Sequence, residues 1–277
     1  MSSDQPVADE APATLGIGMA GYSFMGATHS HAWRTAPAFF DLPLHPRLAV
    51  LAGRNRVAAA AVARRFDWRS VETDWRRLLE RDDVDLVDIC TPSDTHAEIA
   101  IAALEAGKHV LCEKPLANTV AQAEAMVAAA DTAAPNGVRS MVGFTYRRVP
   151  AIALARRLVE AGRLGTIRQV RAQYLQDWLS DEDAPLTWRL DRSRAGSGAL
   201  GDIGAHIIDM AQYVTGSAIR GVSGLVETFV DTRPDETGKG RGPVTVDDMA
   251  AFTARFDGGA VGVFEATRVA TGRKNAL

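Results

Sequence analysis

The sequence predicts an α/β chain in two parts: a doubly wound parallel sheet first, then an α+β domain with an open, mainly antiparallel sheet. Three observations carry this. Short apolar runs alternate with alanine-rich helical segments up to about residue 146. Beyond that point the chain turns to alternating, hairpin-like strands. A strand-like run at 14–20 ends in a glycine-rich turn, as the first unit of a parallel sheet often does.

The elements follow in order. Residues 1–13, with Ser2, Ser3, Asp4, Gln5 and Pro6, read as a polar, disordered tail. Strands are predicted at Thr14–Ala20, Leu48–Ala52, Val84–Cys90, His109–Cys112 and Val138–Phe144. Helices are predicted at Val57–Phe66, His96–Ala106 and Thr119–Ala130. Gly107 stands where a helix end requires a left-handed residue. Residues 14–146 therefore form one expected domain and 147–277 the second. In the second, a helix is expected at Ala151–Glu160, a strand at Ile167–Leu175, a polar loop through Asp181–Pro185 and a helix from about Gly201. Strands follow at Val222–Val230, Ala250–Phe256 and Ala260–Ala266, with Asp257-Gly258-Gly259 as the hairpin turn. Arg233–Pro243, charged and glycine-rich, reads as a mobile loop. A sheet that stops just before Leu277 leaves an edge strand open, so the second domain is expected to be incomplete or covered by a partner.

Composition excludes several classes. The chain of 277 residues is 47% hydrophobic and 23% charged, with a formal net charge of −3. No basic face marks a nucleic-acid binder. No apolar run reaches the roughly 18 residues of a membrane span, and the N-terminus lacks the features of a secretory signal. The expected location is the cytoplasm, with Cys90 and Cys112 as reduced, buried thiols. His29 and His31 read as helix-face residues, and no His, Cys and carboxylate set has metal-ligand spacing, so no metal is expected.

The turn Gly21-Tyr22-Ser23-Phe24-Met25-Gly26 carries the first chemistry. It fits the spacing of the dinucleotide fingerprint, with Ser23 at the middle position usually held by glycine. Gly21 permits the tight turn and Gly26 the close approach of helix and strand. Ser23, Phe24 and Met25 open the helix whose amides face a pyrophosphate. The second strand runs into Gly53-Arg54-Asn55-Arg56 with no carboxylate to bond a ribose diol. Arg54 or Arg56 suits a 2′-phosphate, which favours NADP slightly over NAD.

The second chemistry lies further along. Thr91-Pro92-Ser93-Asp94-Thr95-His96 and Glu113-Lys114-Pro115 each follow a parallel strand, at the sheet end that meets ligands. Asp202 and His206 are four apart and share one face of a helix. A hydroxyl that loses hydride also loses a proton, and a positioned lysine or histidine takes it.

These segments together resemble the Gfo/Idh/MocA oxidoreductase family. The likeness rests on Gly21–Gly26, Thr91–His96, Glu113-Lys114-Pro115, Gly143–Arg148 and Gly198–Asp209, and runs from about residue 14 to the end. It implies a Rossmann domain followed by an α/β domain with an open sheet. It implies a catalytic group of Lys114, Asp202 and His206. It places Thr91, Pro92, Ser93, His96, Glu113, Lys114, Arg147, Trp188 and Arg189 against the cofactor, and Tyr146, Gln176, Asp177 and Trp178 near the substrate. Tyr174–Trp178 is similar to a subgroup that acts on anhydrosugars and inositols. The implied activity is hydride transfer between NAD(P) and a secondary hydroxyl of a sugar, anhydrosugar or cyclitol. The implied assembly is a homodimer or homotetramer built on the open sheet. Two alternatives share the scaffold: a redox-assisted glycosidase that uses bound NAD, and a non-catalytic sugar or nucleotide sensor. Ser23 and the short C-terminal side depart from the family pattern.

Overall fold

The computed structural model describes residues 13–235, 238–272 and 274–277. The expected tail at 1–13 lies almost wholly outside the described residues. Two compact units interleave along the chain. The first holds residues 13–91, Glu98–Cys112 and Met126–Met141; the second holds Pro92–Ala97, Glu113–Ala125 and Val142–Leu277.

The first unit is built on a six-stranded sheet in the order β3-β2-β1-β4-β5-β6. Its strands are β1 Thr14–Ala20, β2 His45–Ala52, β3 Ser70–Glu72, β4 Leu86–Ile89, β5 His109–Cys112 and β6 Ser140–Val142. The pairs β1–β2, β1–β4, β2–β3 and β4–β5 are parallel. Chain order reverses at β1, and in such sheets the crevice beyond that strand's carboxyl end receives nucleotides. The helices α1 Phe24–Phe39, α2 Arg56–Phe66, α3 Arg76–Leu79, α4 His96–Glu105 and α5 Val120–Ala133 connect these strands. Ile17, Met19, Leu51 and Trp68 form the core beside β1 and β2. Asn55 caps α2 through its side-chain oxygen, which accepts from Val57 N and Ala58 N. Gly107 closes α4 with φ +75°.

The second unit is a four-stranded mixed sheet covered on one face. It contains α6 Pro150–Glu160, β7 Gln169–Leu175, α7 Arg192–Ala195, a π-helical segment Leu200–Gly204, α8 Ala205–Thr215, β8 Ile219–Glu227, β9 Thr232–Pro234, β10 Arg241–Pro243, β11 Met249–Phe256 and β12 Val261–Thr267. The sheet order is β7-β12-β11-β8. The pairs β11–β12 and β11–β8 are antiparallel, and β12–β7 is parallel. Alternation along the strands turns Val170, Ala172, Phe264 and Ala266 inward, where they pack with Ile203 and Ile207. That packing anchors the helical segment carrying Asp202 and His206. The turn Asp257-Gly258-Gly259 forms as expected, with Phe256 N donating to Ala260 O and Gly259 at φ +82°.

The sequence reading needs corrections here. Arg233–Pro243 is not a loose loop: β9 and β10 pair antiparallel, and Glu236 and Thr237 between them lie outside the described residues. Arg233 is fully buried, and its guanidinium donates to Asp181 O at 2.7 Å and Leu179 O at 3.0 Å. The guanidinium braces this loop through the Leu179 and Asp181 carbonyls. The strand expected at Val222–Val230 lies three residues earlier, at Ile219–Glu227. His29 is no surface residue: it is buried, with Nδ1 3.0 Å from both oxygens of the buried Asp88. Trp33 Nε1 donates to the same carboxylate at 2.7 Å, and Cys90 Sγ lies 3.5 Å from it. His29, Asp88 and Cys90 thus bring one ligand-type atom each to within 4.8 Å of one another, a grouping made by pairing across the fold rather than by sequence spacing. No helix among the described residues is long and apolar enough to cross a membrane.

Candidate active site

The glycine-rich turn after β1 shows why its glycines are required. Gly21 has φ +102°, and a Cβ there would sit 2.6 Å from Cys90 O. A Cβ on Gly26 would lie 2.2 Å from Gly21 O, so the helix start closes directly on the turn. Ser23 is the exposed N-cap of α1 and makes no side-chain capping bond. Phe24 is exposed, while Met25 packs on the core beside β1. Arg54 is exposed in the turn after β2. Thr91, half-buried, ends the run that follows β4.

In the second unit, Lys114 is presented by a tightly braced loop. Glu113 is buried and accepts from Lys114 N at 3.1 Å. His96 is buried and its Nδ1 donates to Pro115 O at 2.8 Å. Ser93 and Asn118 both donate to Arg194 O, at 3.3 and 2.9 Å. The Lys114–Pro115 bond is cis.

Asp202 and His206 come from the helical segment opposite Lys114. Asp247 builds its start: its two carboxylate oxygens accept from Gly198 N at 2.8 Å and Leu200 N at 2.7 Å. Gly198 is obligatory, because a Cβ would fall 1.8 Å from Asp247 O. The chain then runs as a π-helix over Leu200–Gly204 before α8. Wider π-turns are uncommon and cluster at functional sites. Here the π-turn carries Asp202, and both its carboxylate and its carbonyl meet the lysine. Lys114 Nζ donates to Asp202 Oδ1 at 2.9 Å and to Asp202 O at 2.7 Å.

Electrostatics follow from this geometry. Burial pushes the Asp202 carboxyl up, but Lys114, Arg268 and Arg189 outweigh it and hold it at about 2, below the ordinary 3.8. Asp202 is therefore an anion at neutral pH. His206 is ringed by aromatics: Tyr174 stacks on it at 5.6 Å and 22°, Tyr146 stands edge-on at 5.0 Å, and Phe144 lies at 6.4 Å. Burial and the Lys114 charge lower its pKa from 6.5 to about 4. The imidazole is consequently neutral near pH 7. Tyr146 and Tyr174 hydroxyls are hydrogen-bonded at 3.1 Å, and burial raises the Tyr174 phenol, which stays protonated.

The unit thus brings together Lys114, Asp202, His206 and Tyr146. Trp178 joins them through Arg268, whose guanidinium carbon lies 5.2 Å from its indole. Arg189 lies under the field of Asp202 and 4.5 Å from the Trp188 ring. Gln176 and Asp177 enter differently. Gln176 is held by its backbone, donating to Thr267 O and accepting from Ala270 N, and the exposed Asp177 accepts from Ser180 N in a turn. Arg147 is engaged elsewhere, in a two-pronged pair with Asp209 and close to Tyr213. Sequence reasoning missed Arg268 and Asp247, and it named Tyr174 only within the stretch Tyr174–Trp178, with no role beside His206. The only signals were a charged residue directly after an apolar strand and an aromatic in the alternating run of β7.

A nucleotide-binding sheet together with a Lys–Asp–His cluster defines an oxidoreductase class. Comparison with known proteins makes it specific. Residues 15–144 match the model for the oxidoreductase family with an NAD-binding Rossmann fold, and residues 152–277 match the GFO/IDH/MocA C-terminal domain. The chain belongs to the GFO/IDH/MocA family of NAD-binding oxidoreductases. It is 45% identical over 276 residues to levoglucosan dehydrogenase of Pseudarthrobacter phenanthrenivorans, covering 95% of this chain and 70% of that protein. It is 32% identical over 214 residues to scyllo-inositol 2-dehydrogenase (NAD(+)) of Bacillus subtilis, covering 76% and 56%. Among solved structures, an oxidoreductase domain protein from Kribbella flavida matches with TM-score 0.92 and 70% identity, over 95% of this chain and 70% of that one. Levoglucosan dehydrogenase in complex with NADH matches with TM-score 0.90 and 46% identity, over 95% and 69%.

Proposed function

We propose that the protein is an NAD(P)-dependent dehydrogenase that transfers hydride between the nicotinamide and a secondary hydroxyl of a sugar, anhydrosugar or cyclitol. The observation that carries this reading is the Lys114–Asp202 pair beside a neutral His206. Levoglucosan dehydrogenase as a relative favours an anhydrosugar. In the oxidative direction Lys114 first gives up a proton through His206, and its uncharged amine then receives the hydroxyl proton as hydride leaves the same carbon for the nicotinamide. Asp202 keeps the amine aimed and balances its charge. Tyr146 and Trp178, with Gln176 and Asp177, frame the polyol.

The cofactor supplies hydride acceptance and donation. Residues 14–146 take the nucleotide: Gly21, Ser23, Phe24, Met25 and Gly26 hold the pyrophosphate, and Arg54 meets the adenosine ribose. No carboxylate stands beside Arg54 in the turn 53–56, and the exposed guanidinium there supports use of NADP alongside NAD. Thr91, Pro92, Ser93, His96, Glu113, Trp188 and Arg189 line the nicotinamide end, and Arg147 does so only if it leaves Asp209. Residues 147–277 take the substrate and form a homodimer or homotetramer through the open sheet. Val263 and Leu225 lie exposed on that sheet, in keeping with such an interface. A 340 nm screen with NAD and NADP against anhydrosugars, aldoses and inositols tests the reading. Turnover that disappears in Lys114→Ala and His206→Ala supports it. Cofactor binding without turnover of any polyol overturns it.

A further inference from the structure

Arg268 follows the last residue of β12 and is fixed from both sides. Its backbone N donates to Asp248 O at 3.0 Å, and its carbonyl accepts from Leu179 N at 3.0 Å. Its side chain has no exposed surface. One guanidinium nitrogen, Nη2, donates to Asp202 Oδ2 at 3.0 Å. The other two, Nε and Nη1, are buried and have no acceptor among the described residues.

This is a poor arrangement for packing alone. A buried guanidinium loses its hydration, and each bare N–H adds to that loss. A methionine would fill the same space without either penalty. The compensating feature is Asp202, whose carboxylate is clamped on both edges, Oδ1 by Lys114 Nζ at 2.9 Å and Oδ2 by Arg268 Nη2 at 3.0 Å. The terminal torsion of an aspartate is broad and roughly two-fold. With Oδ2 released, the carboxylate can turn and present both oxygens to the lysine, drawing the amine away from a substrate hydroxyl. The Trp178 indole, 5.2 Å from the guanidinium carbon, limits movement of the clamp.

We propose that Arg268 is a positioning residue of the hydride-transfer site: acting through Asp202, it ties down Oδ2 so that only Oδ1 meets Lys114 Nζ, and so sets the direction in which the lysine amine points. The proposal rests on the reading that Lys114, Asp202 and His206 carry the reaction. Arg268 touches neither substrate nor cofactor in this role. Its loss therefore lowers kcat with little change in KM or in cofactor affinity.

The test is a double-mutant cycle of Arg268→Met with Asp202→Asn, read by kcat, KM and NADH binding. A misplaced catalytic group commonly costs about 100-fold, and Arg268→Met is expected to lower kcat by roughly that factor. In the Asp202→Asn background the same change is expected to cost less than about threefold, since coupled residues are non-additive. A full loss in both backgrounds overturns the proposal. Carbon NMR titration of the Asp202 carboxyl gives a readout independent of turnover: it rises in Arg268→Met, and an unchanged titration also overturns the proposal. If the wild-type protein oxidises no polyol, the functional reading fails while the titration still decides the role of Arg268. Should Arg268→Met not fold, Arg268→Lys decides. It keeps the charge, but the shorter lysine ammonium does not hold Oδ2 at the Nη2 position, so kcat falls about tenfold at an unchanged melting temperature, and a wild-type kcat contradicts the proposal.

Discussion

Replacing Lys114 with methionine removes one charge from the centre of the site while keeping the length of the side chain. Its consequences can be worked from the geometry. The Asp202 carboxyl sits at about 2 against an ordinary 3.8, which corresponds to about 2.5 kcal/mol of preference for the anion at 1.36 kcal/mol per pH unit. Lys114 is the leading cause of that lowering, and it also depresses His206. Its removal leaves a half-buried carboxylate held by Arg268 with only the field of Arg189 beside it, so stability at pH 7 falls by about 2 kcal/mol, below the usual cost of a fully broken buried pair. Asp202 must titrate higher, because burial then meets less opposition. His206 must also titrate higher, since no cation opposes its protonation, yet burial keeps it under 6.5. Polyol oxidation falls by about 10²–10⁴-fold with the base gone. Urea unfolding, imidazole NMR titration and 340 nm kinetics read the three effects. A His206 titration unchanged or lowered in Lys114→Met refutes the reasoning, because it would separate the lysine from the imidazole.

Further outcomes follow from the same geometry. His206 is lowered in the folded state, from 6.5 to about 4, so the unfolded chain takes up its proton first as pH falls. Stability therefore declines from pH 6.5 down to about 4, by up to about 3 kcal/mol, and His206→Phe flattens that part of a urea-midpoint profile. Asp202 adds a further loss between 3.8 and about 2. Gly198→Ala places a Cβ 1.8 Å from Asp247 O and must displace the start of the helical segment that carries Asp202 and His206. Thermal melting is expected to show a loss of about 3 kcal/mol or more. Gly21→Ala combines φ +102° with a 2.6 Å contact to Cys90 O and weakens NADH binding in a fluorescence titration. Arg54→Ala selectively raises KM for NADP over NAD.

Much of this was legible locally. The glycines at 21 and 26 could be read because a tight turn excludes a Cβ whatever surrounds it. The Asp202–His206 pair could be read from helical spacing, although the π-turn beneath it could not. The parallel strands announced themselves as apolar runs, but β3, only three residues long, carried too little pattern. What escaped depends on pairing across the fold. Arg268 meets Asp202 only because β12 runs alongside β7 beneath the helical segment that carries Asp202, a parallel pairing that no hairpin signal marks. Arg233 looked like a loop charge because its partners are backbone carbonyls, which have no signature in sequence. His29 looked like a helix surface residue because Asp88, its buried partner, lies 59 residues away.

The most direct test of the central claim is single-turnover hydride transfer at 340 nm, with NAD or NADP and levoglucosan or an inositol, in wild type, Lys114→Ala and His206→Ala. Formation of reduced cofactor in the wild type, suppressed in both variants while NADH binding persists, is the predicted result. Full cofactor binding with no absorbance change for any polyol, or unchanged turnover in the variants, would contradict it.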